Sequence, residues 1–452
     1  MDFTYKGKWF IPNSPQDEYL GTLHFNTESG GTLELTGCFS KDQKVDSQLI
    51  ILGIATSGMK ITLYNCLEIF RREGLSGLQD TKWSITVILL QTHFWSSKEM
   101  IFSKAHISLQ NLNEWLKISG FHGFTSNNKD NSFTINYKLP PKIAYNIDEK
   151  LICGFDFKAP SPSYDYEINF RQTSYFFLDF KEKVDLDQLF KAIVSFQDFL
   201  SFATFQTCSI LTITATADNK TLNFDKKQIL IPIKVYHKNM GIKEETKDPY
   251  RFLFVYEDIS KNGEIFFNKW FKNVEDYSQV VKLLLEYNSQ PKYIHENKFL
   301  NLARAIETFH RRRRNNFTLA KKEHQQRIKE ILASVPQSHQ NFLKDRLQFS
   351  NEPSLHLRLQ ELLKDFDNDF LRKFIPDGED FIKDFKNNRN YYTHFDEKLK
   401  KKSFKGKELH NLSEKVKLLL IFCLLTDLGF KISDIVDFLS FATSRYINII
   451  KS

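Results

Sequence analysis

Arg389-Asn390-Tyr391-Tyr392-Thr393-His394 lies inside a helical pattern that runs from Phe381 to Asp396, and the reading of the whole chain turns on it. At 3.6 residues per turn each step rotates by roughly 100°, so Phe381, Phe385 and Tyr392 fall within about 40° of one another as a core face. Asn390 and His394 sit nearly opposite, Arg389 and Thr393 lie between, and this polar set spans roughly 140°. The histidine is expected to point away from the helix's own core.

An arginine, a polar residue and a histidine on one non-core arc suit phosphate chemistry. A guanidinium holds a phosphodiester through two oxygens and stabilises charge that builds up in a transition state. Imidazole titrates near neutral pH and can move a proton to or from a ribose hydroxyl or a leaving oxygen, with no metal required. The spacing alone is common. A solvated helix face with an incidental histidine fits it too.

Arg389 to His394 resembles the Arg-four residues-His motif of the HEPN superfamily, and Asn390 matches the polar residue that often follows that arginine. Many of these α-helical domains are metal-independent ribonucleases. Asn301 to Arg314 upstream is similar to the helix that often brings an acidic residue to the HEPN site, which makes Glu307 that candidate; a salt bridge to Arg304 or Arg311 is its alternative. The whole chain resembles the ApeA-like HEPN family of bacterial anti-phage proteins, in which a β-rich region precedes a HEPN domain. At the N-terminal end the resemblance is carried by Trp9-Phe10-Ile11-Pro12, Gly21-Thr22-Leu23, the Gly31, Leu33, Leu35, Gly37 pattern, and Gly53, Gly58, Thr62-Leu63 and Cys66.

The resemblance implies attack of a ribose 2′-hydroxyl on the neighbouring phosphorus in single-stranded or loop RNA, transfer or messenger. His394 would be general base or acid, Arg389 would stabilise the phosphorane, and Asn390 would hold phosphate or orient the histidine. Tyr391 or Tyr392 would stack a base, although the wheel gives Tyr392 to the core. It further implies a homodimer or larger homo-oligomer with both motifs lining a shared cleft, a phage-derived trigger, and no cofactor. A non-catalytic RNA- or protein-binding scaffold and a DNA-directed effector are the competing readings.

Charge agrees with a polyanion partner. The formal net charge is +8. Glu296 to Glu330 holds ten Lys or Arg against four acids, and Lys398 to Lys407 six lysines and no acid, which leaves the remainder net negative. The basic residues flank the motif in sequence and favour a local field over general basicity. Arg311, Arg312, Arg313 and Arg314 form the sharpest cluster, followed by Lys398, Lys400, Lys401 and Lys402. These are the candidate RNA-binding residues; a solvated helix end is the plainer account of such a run.

At 452 residues, with 41% hydrophobic residues, 26% charged ones and 43 phenylalanines, the chain is long and apolar enough for two or three domains with real cores. The start lacks a signal-peptide pattern, and no apolar run approaches the roughly 18 residues that span a bilayer, so no membrane association is expected. Cys38, Cys66, Cys153, Cys208 and Cys423 are scattered without zinc spacing. Neither a metal site nor a disulfide framework is expected, and reduced thiols in the cytoplasm are the simplest reading.

The fold class expected is α+β and multidomain. Residues 1–160 read as a β-rich domain of antiparallel sandwich or barrel type. Its strand runs are Tyr19–Phe25, Thr32–Thr36, Leu49–Ala55, Lys60–Leu67, Trp83–Thr92 and Ser132–Lys138, with a short helix around Leu112 to Leu116. His24, His93, His106 and His122 are isolated there, and no phosphate-loop or nucleophile-elbow signature occurs. The Pro- and Ser-bearing stretch Lys158 to Asp165 reads as a connection. Residues 161–285 then read as a mixed α/β sensor or regulatory subdomain, with strands over Glu167–Arg171, Ser174–Phe180, Cys208–Ala215 and Ile229–Tyr236 and a helix over Asp187–Phe205. Residues 286–452 read as an all-α HEPN bundle, with helices near Ser338–Phe349, Leu355–Phe374, Leu412–Leu428 and Ser433–Ile450 around the motif helix.

Overall fold

A computed structural model of the chain describes residues 2–39, 49–73, 79–127, 132–159, 170–224, 227–241, 249–289 and 295–440. They form two compact units that meet in sequence between Asn268 and Lys269.

In the first unit six strands close on themselves. β1 (Phe3–Ile11), β2 (Ser14–Asn26), β3 (Gly30–Thr36), β4 (Leu49–Ala55), β5 (Lys60–Glu73) and β6 (Gln79–Leu90) run in the order β6-β3-β2-β1-β4-β5, and β5 returns to pair with β6. The alternation read from the sequence becomes the inside and outside of this barrel. Trp9, Leu23, Phe25, Leu33, Ile51, Ile61, Leu63, Trp83 and Ile85 fill it, while Lys6, Lys8, His24 and Glu34 face out. Gly53 makes room for the largest of these: a Cβ there would lie 2.3 Å from the Trp9 ring.

Six more strands extend the same antiparallel sheet from β6. They are β7 (Ile101–Leu109), β10 (Ile143–Asn146), β11 (Leu151–Lys158), β12 (Thr173–Asp185), β13 (Ile210–Phe224) and β14 (Lys227–His237), in the order β10-β11-β12-β7-β13-β14-β6. Between them lie α1 (Leu112–Leu116) and the separate hairpin β8 (Phe121–Asn127) and β9 (Ser132–Tyr137). Helix α2 (Leu186–Thr204) packs on β7 and β12. It begins at a capping box in which Asp185 accepts from Gln188 N and the Gln188 side chain accepts from Asp185 N. Its Phe196 ring stacks on Phe176, with centroids 3.5 Å apart, in a core shared with Phe155, Phe199 and Phe267. β11 and β12, on either side of the Lys158 to Asp165 connection, are hydrogen-bonded neighbours. The strand expected over Glu167 to Arg171 falls largely outside the described residues, and 170–172 carry no strand.

Helices take over with α3 (Tyr256–Ser260) and α4 (Gly263–Lys272). The second unit contains α5 (Val274–Ser289), α6 (His295–Arg313), α7 (Lys321–Ala333), α8 (Gln337–Arg346), α9 (Leu355–Asp365), α10 (Asp369–Phe374), α11 (Gly378–His394) and α12 (Gly406–Leu428). α6 packs against α5, α9, α11 and α12 and is the axis of the bundle. α12 is buried on nearly every side from Val416 to Leu425, which explains its lack of a polar stripe. The single helix expected over Leu355 to Phe374 is two: Asn368 accepts from Leu371 N and starts a new helix, as this residue type does at N-caps. Residues 432–440 are helical, and the rest of the closing helix expected to Ile450 lies outside the described residues. Among the described residues no helix is long and apolar enough to cross a membrane.

Candidate active site

Helix α11 starts where Asp377, just after Pro376, accepts from Asp380 N. Phe381, Ile382 and Phe385 are buried, and the Phe385 ring meets Phe299 of α6 edge-on at 5.6 Å. This packing turns Arg389 toward α6. Its Nε lies 3.1 Å from Glu307 Oε1 and its Nη2 3.3 Å from Glu307 Oε2, while Nη1 donates to Asn390 Oδ1 at 3.2 Å. Glu307 therefore goes to the motif arginine. Arg311 bonds to Glu352 instead, and Arg304 has no hydrogen bond or ion pair among the described residues.

The helix ends as Phe395 enters the left-handed region at φ +52° and donates its N–H to Tyr391 O. His394 is exposed just before that end and has no hydrogen bond among the described residues. Thr393, one turn beyond Arg389, lines the same cavity as the arginine; His394 is not among the residues that line it. Tyr392 is buried as the wheel required, and so is Tyr391, edge-on to it at 5.0 Å. Neither ring is free to stack a base, which corrects that expectation: Tyr391 is buried edge-on against Tyr392 and is covered by the exposed Phe395 ring at 5.9 Å.

Two further bonds fasten the lysine-bearing loop to the motif helix. The fully buried Asn388 accepts from Phe404 N at 2.6 Å and donates to Asp384 O at 2.8 Å, and Tyr392 Oη donates to Phe404 O at 2.5 Å. Lys398, Lys400, Lys401 and Lys402 are exposed on that loop, Lys400 paired with Glu397.

The four consecutive arginines divide by the acids that reach them. Arg313 and Arg314 turn inward: Arg313 bonds to Asp427 at 2.7 Å and Asn273 at 2.6 Å with its guanidinium over the Tyr277 ring, and Arg314 bonds to Asp365. They act as clasps within the bundle. Arg311 and Arg312 turn outward, the second held by Glu275 O and Asp276.

Arg311 and Arg312 line a cavity of about 480 Å³ together with Arg304, Arg358, Arg389 and Glu307. Arg358 is the residue that sequence reasoning missed. It is 5% exposed, donates from Nη1 to His310 Nδ1 at 3.0 Å and from Nη2 to Glu352 at 3.0 Å, and burial followed by the nearby Arg311 lowers its pKa. His310, wholly buried, is 2.7 Å from Glu361 Oε2 through its other nitrogen. One signal was available: Arg358 stands four residues before Leu362 on the buried stripe of α9, a costly place for a charge without a partner.

Among the described residues no group of three or more His, Cys, Asp and Glu is arranged to hold a metal ion. A family model described as ApeA N-terminal domain 1 matches residues 4–270, and one described as Apea-like HEPN matches residues 300–433. No curated protein and no solved structure matches the chain.

Proposed function

Since the chain belongs to the ApeA-like HEPN family, we propose that it is a cytoplasmic anti-phage endoribonuclease that cuts single-stranded or loop RNA, transfer or messenger, without a metal. Family membership supports the defence role. The observation that carries the chemistry is the end of α11, where Glu307 and Asn390 orient Arg389 and His394 stands exposed about 140° further round the helix.

In the proposed reaction the 2′-oxygen of a ribose bonds to the adjacent phosphorus as the P–O5′ bond breaks, leaving a 2′,3′-cyclic phosphate and a 5′-hydroxyl. His394 takes the 2′ proton or supplies one to the departing 5′ oxygen, and Arg389 neutralises the charge on the non-bridging oxygens. An unstacked strand can swing the hydroxyl into line, which favours loops over duplex. In one chain His394 stands outside the cavity that Arg389 lines. A homodimer or larger homo-oligomer is proposed to bring two such helix ends into one cleft, with the sheet-rich unit restraining cleavage until a phage-derived trigger arrives.

The same isolation of His394 favours a second reading, a non-catalytic RNA- or protein-binding scaffold. Purified protein assayed against RNA and DNA in the presence of EDTA separates them. RNA cleavage that survives EDTA and is lost in both Arg389→Ala and His394→Ala supports the nuclease. Folded variants that cut as fast as wild type would overturn the site.

A further inference from the structure

The cavity behind Arg389 contains more positive charge than one phosphate in flight requires. Five arginines and the Glu307 carboxylate line it, and Glu352 and Asp276 pair with three of those arginines, so five cations meet three carboxylates. Arg304 contributes a guanidinium with no partner among the described residues. Arg358 contributes one that is nine-tenths buried, with two of its five N–H groups committed, one to His310 and one to Glu352. Because Arg358 carries its protons at neutral pH, His310 Nδ1 must be the acceptor, so the ring proton sits on Nε2 and points at Glu361. Glu361, His310 and Glu352 thus fix a buried cation in one orientation at the cavity wall. That arrangement holds a buried, partly paired guanidinium at the wall with N–H groups still uncommitted.

The anion that fits best is a phosphate. Planar guanidinium forks match its oxygens in pairs; a monoester brings close to two charges and three acceptors, and a diester link one charge and two non-bridging oxygens. The volume lies in the range of pockets that enclose a small organic ligand, enough for phosphate with its ribose.

We propose that this cavity is a second phosphate-binding subsite, holding a nucleotide phosphate beside the one to be cleaved, with Arg389 as the wall shared by both. The link to cleavage rests on the function proposed above; the binding itself does not. The phosphate comes either from the next link of the RNA strand or from a free nucleotide, and Glu307 competes with it for Arg389.

Titration calorimetry of the full chain with AMP and with a short single-stranded RNA methylated at its 2′-oxygens, which cannot be cut, tests this. The expected result is binding weakened about tenfold, the loss of one charge-assisted contact, in both Arg304→Gln and Arg358→Gln. Arg372→Gln, which removes an exposed pair with Asp367, is the control with binding unchanged. Weakening of both ligands identifies the strand as the source, and weakening of AMP alone identifies a free nucleotide; either supports the subsite. Arg304 is exposed, so its variant decides the matter if Arg358→Gln fails to fold. If Arg304→Gln binds both ligands as wild type does, the proposal is overturned. Cleavage of unmodified RNA, followed in parallel, separates the two ideas: no cleavage with arginine-dependent AMP binding removes the nuclease and leaves the subsite.

Discussion

Glu307 and Arg389 meet side-on across α6 and α11, with Nε and Nη2 of the arginine each facing one carboxylate oxygen at 3.1 and 3.3 Å. The pair orients the guanidinium while placing the one carboxylate among the residues that line a cavity with five arginines. Removing the carboxylate therefore acts in two directions. For Glu307→Ala we expect kcat on RNA to fall about tenfold, roughly 1.4 kcal/mol of transition-state stabilisation, because Arg389 loses its aim. KM is expected to fall as well, since the potential in the cavity rises. Steady-state kinetics read the split, and an unchanged kcat with a raised KM would contradict the positioning role.

Arg311 and Arg313 are two residues apart but do different work. Arg313 is 21% exposed, bonded to Asp427 and Asn273 and layered on Tyr277; Arg311 is 61% exposed and, among the described residues, pairs with Glu352 alone. Arg313→Ala is expected to destabilise the helical unit by about 2 to 3 kcal/mol, because it leaves Asp427 short of a charged partner. Arg311→Ala should cost under about 1 kcal/mol. Thermal unfolding distinguishes them, and similar melting shifts would refute the division.

Acid should weaken the helical unit. Burial pulls the His310 pKa down, the bond to Glu361 pulls it up, and Arg358 pulls it down again, with a net lowering. His410 is also lowered, chiefly by burial. A histidine whose folded pKa lies below its unfolded value binds fewer protons folded than unfolded. Its contribution is full above the unfolded pKa of about 6.5 and is lost as pH falls through the lower folded value. Melting temperature followed from about pH 7.5 to pH 5 is expected to drop, with a shallower slope in His310→Gln. A flat profile in the wild type would count against this account.

Asn388 has no solvent exposure, and both ends of its amide are used, toward Asp384 O and Phe404 N. Asn388→Ala leaves the part-buried Phe404 N–H short of its acceptor and is expected to cost about 1 to 2 kcal/mol. The loop that carries Lys398 to Lys402 then loses its fastening, so hydrogen exchange should quicken at Phe404, and RNA affinity should fall and depend less steeply on salt as phosphate contacts are lost. Unchanged protection at Phe404 would sink this prediction.

The barrel strands and the motif helix were legible because both obey simple periods. Trp9, Leu23 and Leu33 alternate with Lys8, Thr22 and Glu34, and Phe381, Phe385 and Tyr392 recur on one face. The division among Arg311 to Arg314 was not legible, since like charges in a row give no hint of which find acids; that depends on Asp365 and Asp427, which arrive from α9 and α12. Arg358 was hidden for the same reason, its partners His310 and Glu352 lying on α6 and just before α9. The break at Asn368 was overlooked because the hydrophobic spacing continues across it, whereas its side chain starts a new helix by bonding Leu371 N. Glu307 was read as an acid with several possible cations, and only the docking of α11 on α6 selected Arg389.

Strand β6 spends one edge on two neighbours, β3 along Asp80 to Ile85 and β14 along Val87 to Leu90, and gives the other edge to β5. The barrel and the open sheet are consequently spliced through a single ribbon. A truncation that begins after Leu90 would strip β14 of its partner along Lys234 to His237 and expose a raw edge that invites foreign strands. Any shortened version of this protein needs its first ninety residues, or a substitute for that seam, to stay in solution.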